Sequence, residues 1–315
     1  MMTGHRALFD AHVERWIAAL PPGGLYEPMA YLLRLPAKRI RPVLTMMACE
    51  LFGGRSEEVL DQALGIELFH NFTLMHDDIM DAASLRRGRP TVHAKWNTNT
   101  AILSGDAMLV MAYQCIGTGS GVLDVFSTHA LDVCKGQQLD MEFEQRSDVS
   151  LAEYREMIRL KTAVLLAASL RIGAIRAGAS VVDQDRIGAF GENLGLAFQL
   201  RDDLLDAFGE SQITGKEQGG DLRNGKKTWL LIRGLECEQA AGTRVLQQQL
   251  ERSPLDRDVP AMVNALRVLG VHAEAEAEVR RLEAMATSSL EAVDPDRVRT
   301  APLFALAEAL RVRAT

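Results

Sequence analysis

Apolar residues recur at three- and four-residue spacing in several stretches: Leu60, Leu64, Leu68 and Phe72; Leu160, Val164 and Ala168; Leu194, Phe198, Leu200 and Leu204. That spacing lines one face of an α-helix and predicts amphipathic helices. No alternation of period two runs long enough for a strand. No proline falls between Pro90 and Pro254, and this stretch is rich in the strong helix formers Ala, Leu, Met, Gln, Glu and Arg. The pattern therefore predicts an all-α chain. Breaks are expected at Pro21 to Gly24, at Gly53-Gly54, across Gly88 to Pro90, from Gly209 to Gly225 and at Ser253-Pro254. Only the Gly209–Gly225 break is long and polar, and its mix of Gly, Lys and Asp suits a functional loop better than a domain linker. Residues 1–315 are thus expected to form a single large helical bundle in one domain. Its tail beyond residue 255 reads as packing and solvated surface.

Two places interrupt the apolar pattern with acid. The run from Leu68 to Asp81 carries Asp77, Asp78 and Asp81, and the run from Phe198 to Asp206 carries Asp202, Asp203 and Asp206. Carboxylates four apart share a helix face about 5–6 Å apart and repel unless a cation lies between them. One such DDxxD pattern alone is often a solvated helix face. Two copies inside apolar helices, facing each other across a bundle, would line a central cavity with carboxylates suited to Mg2+, which keeps several waters and binds substrate phosphates.

Composition narrows the classes. The 315 residues are 47% hydrophobic and 24% charged, with a formal net charge of -7. That balance argues against a general nucleic-acid binder, whose surface must neutralise phosphate. Phosphate chemistry here must rest on local basic clusters, and these lie beside the acidic runs. Lys38, Arg39 and Arg41 stand in PAKRIRP, Arg86, Arg87 and Arg89 follow the first aspartate run, and Lys216, Lys226 and Lys227 follow the second. Arg39 and Arg89 also read as ordinary solvated charge. The four cysteines, Cys49, Cys115, Cys134 and Cys237, are too scattered for a metal or redox motif. They read as small buried hydrophobes in a reducing compartment. With no stretch near the roughly 18 apolar residues of a membrane span and no signal-like N-terminus, the expected location is the cytoplasm, with no integral membrane segment.

In this order along the chain, KRIRP, HDDIMD with LRRGRPTVH, Lys161-Thr162, FQLRDDLLD and GKEQGGDLRNGKKT resemble the trans-isoprenyl diphosphate synthases. The resemblance covers most of the chain and implies an isoprenoid synthase-type fold, a homodimer, and a reaction joining isopentenyl diphosphate to an allylic diphosphate. By the same resemblance, Asp77, Asp78, Asp81, Asp202, Asp203 and, more peripherally, Asp206 hold Mg2+ that bridges the allylic diphosphate. Arg86, Lys161, Lys216 and Lys226 contact that diphosphate, with Thr162 and Gln199 near the reacting carbons. Lys38, Arg41, His70 and Arg87 form the isopentenyl diphosphate site. Gln137 and Asp140 lie in a region the family uses near its pocket, although a polar helix face explains them almost as well. His76 reads as a satisfied buried donor. The chain departs from the family in carrying Pro36-Ala37 where two glycines commonly precede the first basic motif.

Phe72 stands five residues before Asp77 and Thr73 four before it. A bulky residue there is either core packing or the floor of the tunnel into which the product grows. In the resembled family an aromatic at that place, with no insertion in the motif, looks like geranylgeranyl diphosphate synthases, with farnesyl diphosphate synthases as the alternative. Phe69 and Met75 either line the tunnel or pack. A terpene cyclase would be expected to carry a different second metal motif and more aromatics than the 5% present. A non-catalytic regulatory subunit fits poorly with six retained aspartates, and a metal phosphohydrolase reading, prompted by the His76-Asp77 pair, fails because the chain shows no other metal-binding histidines at suitable positions.

Overall fold

A computed structural model describes residues 2–119, 121–209 and 218–312. The chain forms two compact units, Met1–Ala130 with Ala168–Gly188, and Leu131–Ala167 with Ala189–Thr315.

The first unit contains α1 (Met2–Ala18), α2 (Glu27–Arg34), α3 (Ile40–Leu51), α4 (Leu60–Met80), α5 (Val92–Lys95) and α6 (Thr98–Ile116). The spacing read from sequence is the one that buries: Leu60, Leu64 and Leu68 are 7%, 0% and 0% exposed. Helix α4 packs on α6 at backbone contact, because a Cβ on Gly65 would stand 2.9 Å from the Ala112 carbonyl oxygen. Asn97 starts α6 by accepting the Thr100 N–H at 2.8 Å. Phe69, Phe126 and Tyr113 stack edge to face, Phe69 with Phe126 at 5.5 Å and Phe126 with Tyr113 at 4.9 Å.

One element departs from the all-α expectation. Leu85–Arg86 (β1) and Arg89–Pro90 (β2) pair antiparallel, with Arg86 opposite Arg89. The turn between them uses Arg87 and Gly88 at φ 53 and 73, the left-handed pair that a two-residue hairpin requires. Its strands are too short to leave a period-two signal in the sequence.

The second unit holds α8 (Leu151–Ile158), α11 (Gly220–Asn224), α12 (Trp229–Ala241), α13 (Val245–Leu250), α14 (Val259–Val268), α15 (Val271–Val293) and α16 (Ala301–Val312). The long helices α7 (Val122–Gln145), α9 (Val164–Arg176) and α10 (Val181–Phe208) have residues in both units. Ser150 and Glu153 close a reciprocal cap at the start of α8. Between α8 and α9 the backbone widens into a π turn over Arg159–Ala163. Tyr154, Ile158, Ala163, Leu196 and Leu282 share one buried cluster, and Leu230, Leu231, Leu246, Met262 and Leu266 share another.

Among the described residues, no helix is long and apolar enough to cross a membrane. None of the four cysteines forms a disulfide. Cys49 is buried, which pushes its thiol up to about 11. Cys134 is exposed, against the expectation that all four lie inside.

Candidate active site

In the first unit the aspartate run occupies the C-terminal end of α4. Asp78 is 2% exposed and receives Arg86 through both oxygens, Nε at 3.0 and 2.8 Å and Nη2 at 2.7 Å. The hairpin returns Arg86 over the helix end to make this forked pair, so two residues that the sequence reading gave to metal and diphosphate hold each other here. Asp77 is half-buried. Asp81 is exposed and serves as the C-cap, its N–H donating to the Asp77 carbonyl at 2.8 Å. A helix C-terminus carries the negative end of the macrodipole, where carboxylates are disfavoured without a cation.

The basic residues ahead of α4 divide sharply. Lys38 is exposed, whereas Arg39, which read as solvated charge, is buried. Its guanidinium reaches Asp10 at 3.2 Å and Glu67 at 2.6 Å, and it also donates to the Leu33 carbonyl. This network supports a left-handed backbone at Arg39, φ 52, which costs a non-glycine residue about 1–2 kcal/mol. Arg89 is exposed, as expected. Arg41 Nη1 donates to His70 Nε2 at 3.1 Å. Burial lowers the Arg41 guanidinium to about 10, against the pull of Glu67. Burial first, then the charges of Arg41, Arg87, Arg86 and Arg39, hold His70 well below its usual value, so it is neutral and accepts from Arg41.

His76 is satisfied, as the sequence suggested, but half-buried rather than buried. Its Nε2 meets the Ile102 carbonyl at 3.2 Å, and its ring packs so tightly on α6 that a Cβ at Gly105 would stand 2.3 Å from that nitrogen. Phe72 stacks on His76 at 4.8 Å and on Phe69 at 5.7 Å. Thr73 donates to the His70 carbonyl at 2.8 Å. Phe69 and Met75 are each 1% exposed and pack in the core.

In the second unit the other aspartate run again ends a helix, the last two turns of α10. Asp202 is exposed and Asp203 is 4% exposed. Asp203 accepts the Gln199 amide at 3.2 Å on Oδ1 and the Tyr154 hydroxyl on Oδ2. Burial pushes its carboxyl up to about 7, while the two donors pull the other way. Thr162 donates to Gln199 Oε1 at 3.2 Å, so Thr162, Gln199, Asp203 and Tyr154 form one chain. Asp206 accepts the Asp221 N–H at 3.0 Å and so fastens the start of α11, which fits a peripheral place.

Lys161 projects from the π turn to Asp140 at 2.5 Å, and Lys226 approaches the same carboxylate at 4.0 Å. Asp140 thus gathers two of the lysines expected at the diphosphate. The turn itself is hemmed by glycine: a Cβ at Gly136 would lie 2.3 Å from the Lys161 nitrogen, and one at Gly195 would lie 2.6 Å from Ala163 Cα. Lys216 falls outside the described residues.

Sequence reasoning missed Tyr154, Gly136 and Gly195. Tyr154 reads as one more apolar helix position, and its partner lies 49 residues away. The glycines stand inside helical patterns where they normally cost stability, and that misfit was the available signal.

A model of the polyprenyl synthetase family matches residues 23–266. The chain belongs to this family. The match spans both aspartate runs, the π turn and the basic motifs. A geranylgeranyl diphosphate synthase of Methanosarcina mazei is 39% identical over 234 residues, 72% of either chain. The geranylgeranyl pyrophosphate synthetase of Pyrococcus horikoshii superposes with a TM-score of 0.88 at 31% identity, covering 98% of this chain and 96% of that one. A geranylgeranyl pyrophosphate synthase of Corynebacterium glutamicum, complexed with isoprenyl diphosphate and magnesium, superposes at 0.80 with 30% identity, covering 100% and 97%.

The residues suit a hard divalent cation. The candidate donors are all carboxylate oxygens, they crowd the negative ends of two helices, and Asp203 is buried where its charge needs compensation. Among the described residues no three acidic, histidine or cysteine side chains converge into an ion site on their own. Mg2+ asks for less, since it ordinarily takes one or two carboxylates, waters and substrate phosphates.

Proposed function

We propose that this chain is a Mg2+-dependent trans-prenyltransferase that condenses isopentenyl diphosphate with allylic diphosphates, with geranylgeranyl diphosphate as the favoured product. The observation that carries the reading is the arrangement of acid and base within a polyprenyl synthetase: two aspartate runs at helix C-termini, the first with Arg86 paired to Asp78 and the second with the charge of Lys226 acting on Asp203. Residues 1–315 act as one catalytic domain, and the protein works as a homodimer in the cytoplasm.

Asp77, Asp78, Asp81, Asp202, Asp203 and Asp206 are the residues that would hold the metal. Bound there, Mg2+ offsets the charge that develops on a departing diphosphate. Arg86, Lys161, Lys216 and Lys226 grip the same group, with Arg supplying a fork and Lys a point charge. Asp140 keeps Lys161 and Lys226 together. The allylic C–O bond breaks with its electron pair leaving on the diphosphate, and apolar walls exclude water from the cation. Lys38, Arg41 and Arg87 bind isopentenyl diphosphate, while neutral His70 fixes the Arg41 fork. The alkene attacks the cation, a new C–C bond forms, and a proton passes to the released diphosphate. Thr162 and Gln199 line the reacting end. Phe72, propped by His76, is the floor that sets product length, with the small Thr73 beside it.

Purified protein given Mg2+, isopentenyl diphosphate and, separately, dimethylallyl, geranyl and farnesyl diphosphates should release linear geranylgeranyl diphosphate. Asp77→Ala and excess chelator should each abolish it, and Phe72→Ala should lengthen it. A farnesyl product would move the reading one step shorter. Silence with every starter would favour a regulatory subunit, and cyclic hydrocarbon would favour a cyclase.

A further inference from the structure

We infer that Tyr154 is a positioning residue for the second aspartate run, holding the Asp203 carboxylate in a single orientation ready for a divalent cation. The inference rests on the proposed reading of Asp203 as a metal ligand and adds a residue which that reading does not use.

The geometry is specific. Tyr154 is 2% exposed, on the buried face of α8, and its hydroxyl donates to Asp203 Oδ2 while Gln199 donates to Oδ1 at 3.2 Å. A carboxylate carries about four acceptor sites on its two oxygens. One donor on each oxygen stops the group turning about its Cβ–Cγ bond and leaves the remaining lone pairs for a cation. Gln199 lies one turn before Asp203 on the same helix and is itself held by Thr162 at 3.2 Å. Tyr154 comes from another helix, so its hydroxyl ties α8 to the carboxylate. The bland alternative is a buried phenol that satisfies its single donor and contributes stability alone. The two roles separate on metal affinity. Groups that hydrogen-bond a metal ligand typically alter affinity by about 10–100-fold, and a donor that only fills the core leaves it unchanged.

The test uses the full-length protein and Mn2+ with inorganic diphosphate, read by electron paramagnetic resonance of free Mn2+. Wild type, Tyr154→Phe, Asp203→Asn and the double variant are titrated, with circular dichroism melts in parallel. The expected result is a free Mn2+ concentration at half-saturation about 10–100-fold higher in Tyr154→Phe than in wild type, and no added loss when Asp203 is already Asn. Four results would overturn it. Tyr154→Phe could bind as wild type does. It could lose as much in the Asp203→Asn background, which would detach it from Asp203. It could be unfolded at the assay temperature, which would assign the hydroxyl to stability. Lastly, Asp203→Asn could match wild type, in which case the metal reading of the second run falls and the inference goes with it.

Discussion

Replacing Gly136 with alanine tests whether the π turn is placed by backbone contact. The added Cβ would stand 2.3 Å from the Lys161 nitrogen and 2.7 Å from Lys161 Cα and the Leu160 carbonyl carbon. Ordinary contact begins near 3.4 Å, so α7 and the turn must part by about 1.1 Å, the gap between 2.3 and 3.4 Å. All three atoms are backbone, and no side chain can swing away to absorb it. Overpacking of this kind costs about 1–3 kcal/mol. On the proposed role of Lys161 the catalytic effect is of similar size, because a misplacement near 1 Å at a positioned group costs about 10²-fold in rate, or about 2.7 kcal/mol of barrier. Lys161 would leave its 2.5 Å contact with Asp140, and Thr162 would shift from Gln199. Steady-state rates at saturating substrates and metal should therefore fall by about 10²-fold, with a melt lowered by a few degrees. Gly4→Ala is the control, since nothing lies within 4 Å of its added Cβ and it sits in α1, where alanine gains up to about 1 kcal/mol of helix propensity. A Gly136→Ala protein with wild-type rate and melt would refute the claim that this contact places Lys161.

Two further outcomes follow from charge burial. Arg86→Ala strips the forked partner from Asp78, whose side chain is 3% exposed, and since Arg86 is 24% exposed the loss should be about 2–3 kcal/mol, below the about 3–5 kcal/mol of a fully buried pair; urea denaturation with no change in midpoint would sink this. His70 is neutral in the folded protein and held well below its usual value, so as pH falls below about 6.5 the unfolded chain binds a proton that the folded one refuses, and stability drops. His70→Gln should flatten the rise of unfolding free energy with pH in that window by up to about 1.4 kcal/mol per pH unit and leave it unchanged above pH 7.5 or so; equal slopes for both proteins would show that His70 does not titrate differently on folding.

The helical class, the breaks at Gly53-Gly54 and Ser253-Pro254, and both aspartate runs were legible in sequence because each follows from local rules. A period of about 3.6 residues buries one helix face, and carboxylates in an apolar run stand out wherever the chain goes. His76 was also read correctly, as a satisfied donor, since an imidazole on an apolar helix usually finds a carbonyl. Arg39 was misread for the converse reason. Charge composition says nothing about which arginine of KRIRP is turned inward, and the choice was made by Asp10 and Glu67, 29 and 28 residues away. The β hairpin escaped because two-residue strands leave no period.

What the sequence determined by itself, then, is which side chains are present: hard oxygen donors, basic residues beside them in the chain and apolar faces in helical register. Tertiary structure alone decided which of these groups touch. Arg86 is given to Asp78, Asp140 to Lys161, and Tyr154 to Asp203, through hydrogen bonds spanning 8, 21 and 49 residues. The reason is physical. Side-chain type is fixed at each position, whereas desolvation and pairing depend on which helix packs alongside, and at Gly136 and Gly195 that packing is set by the absence of a single carbon.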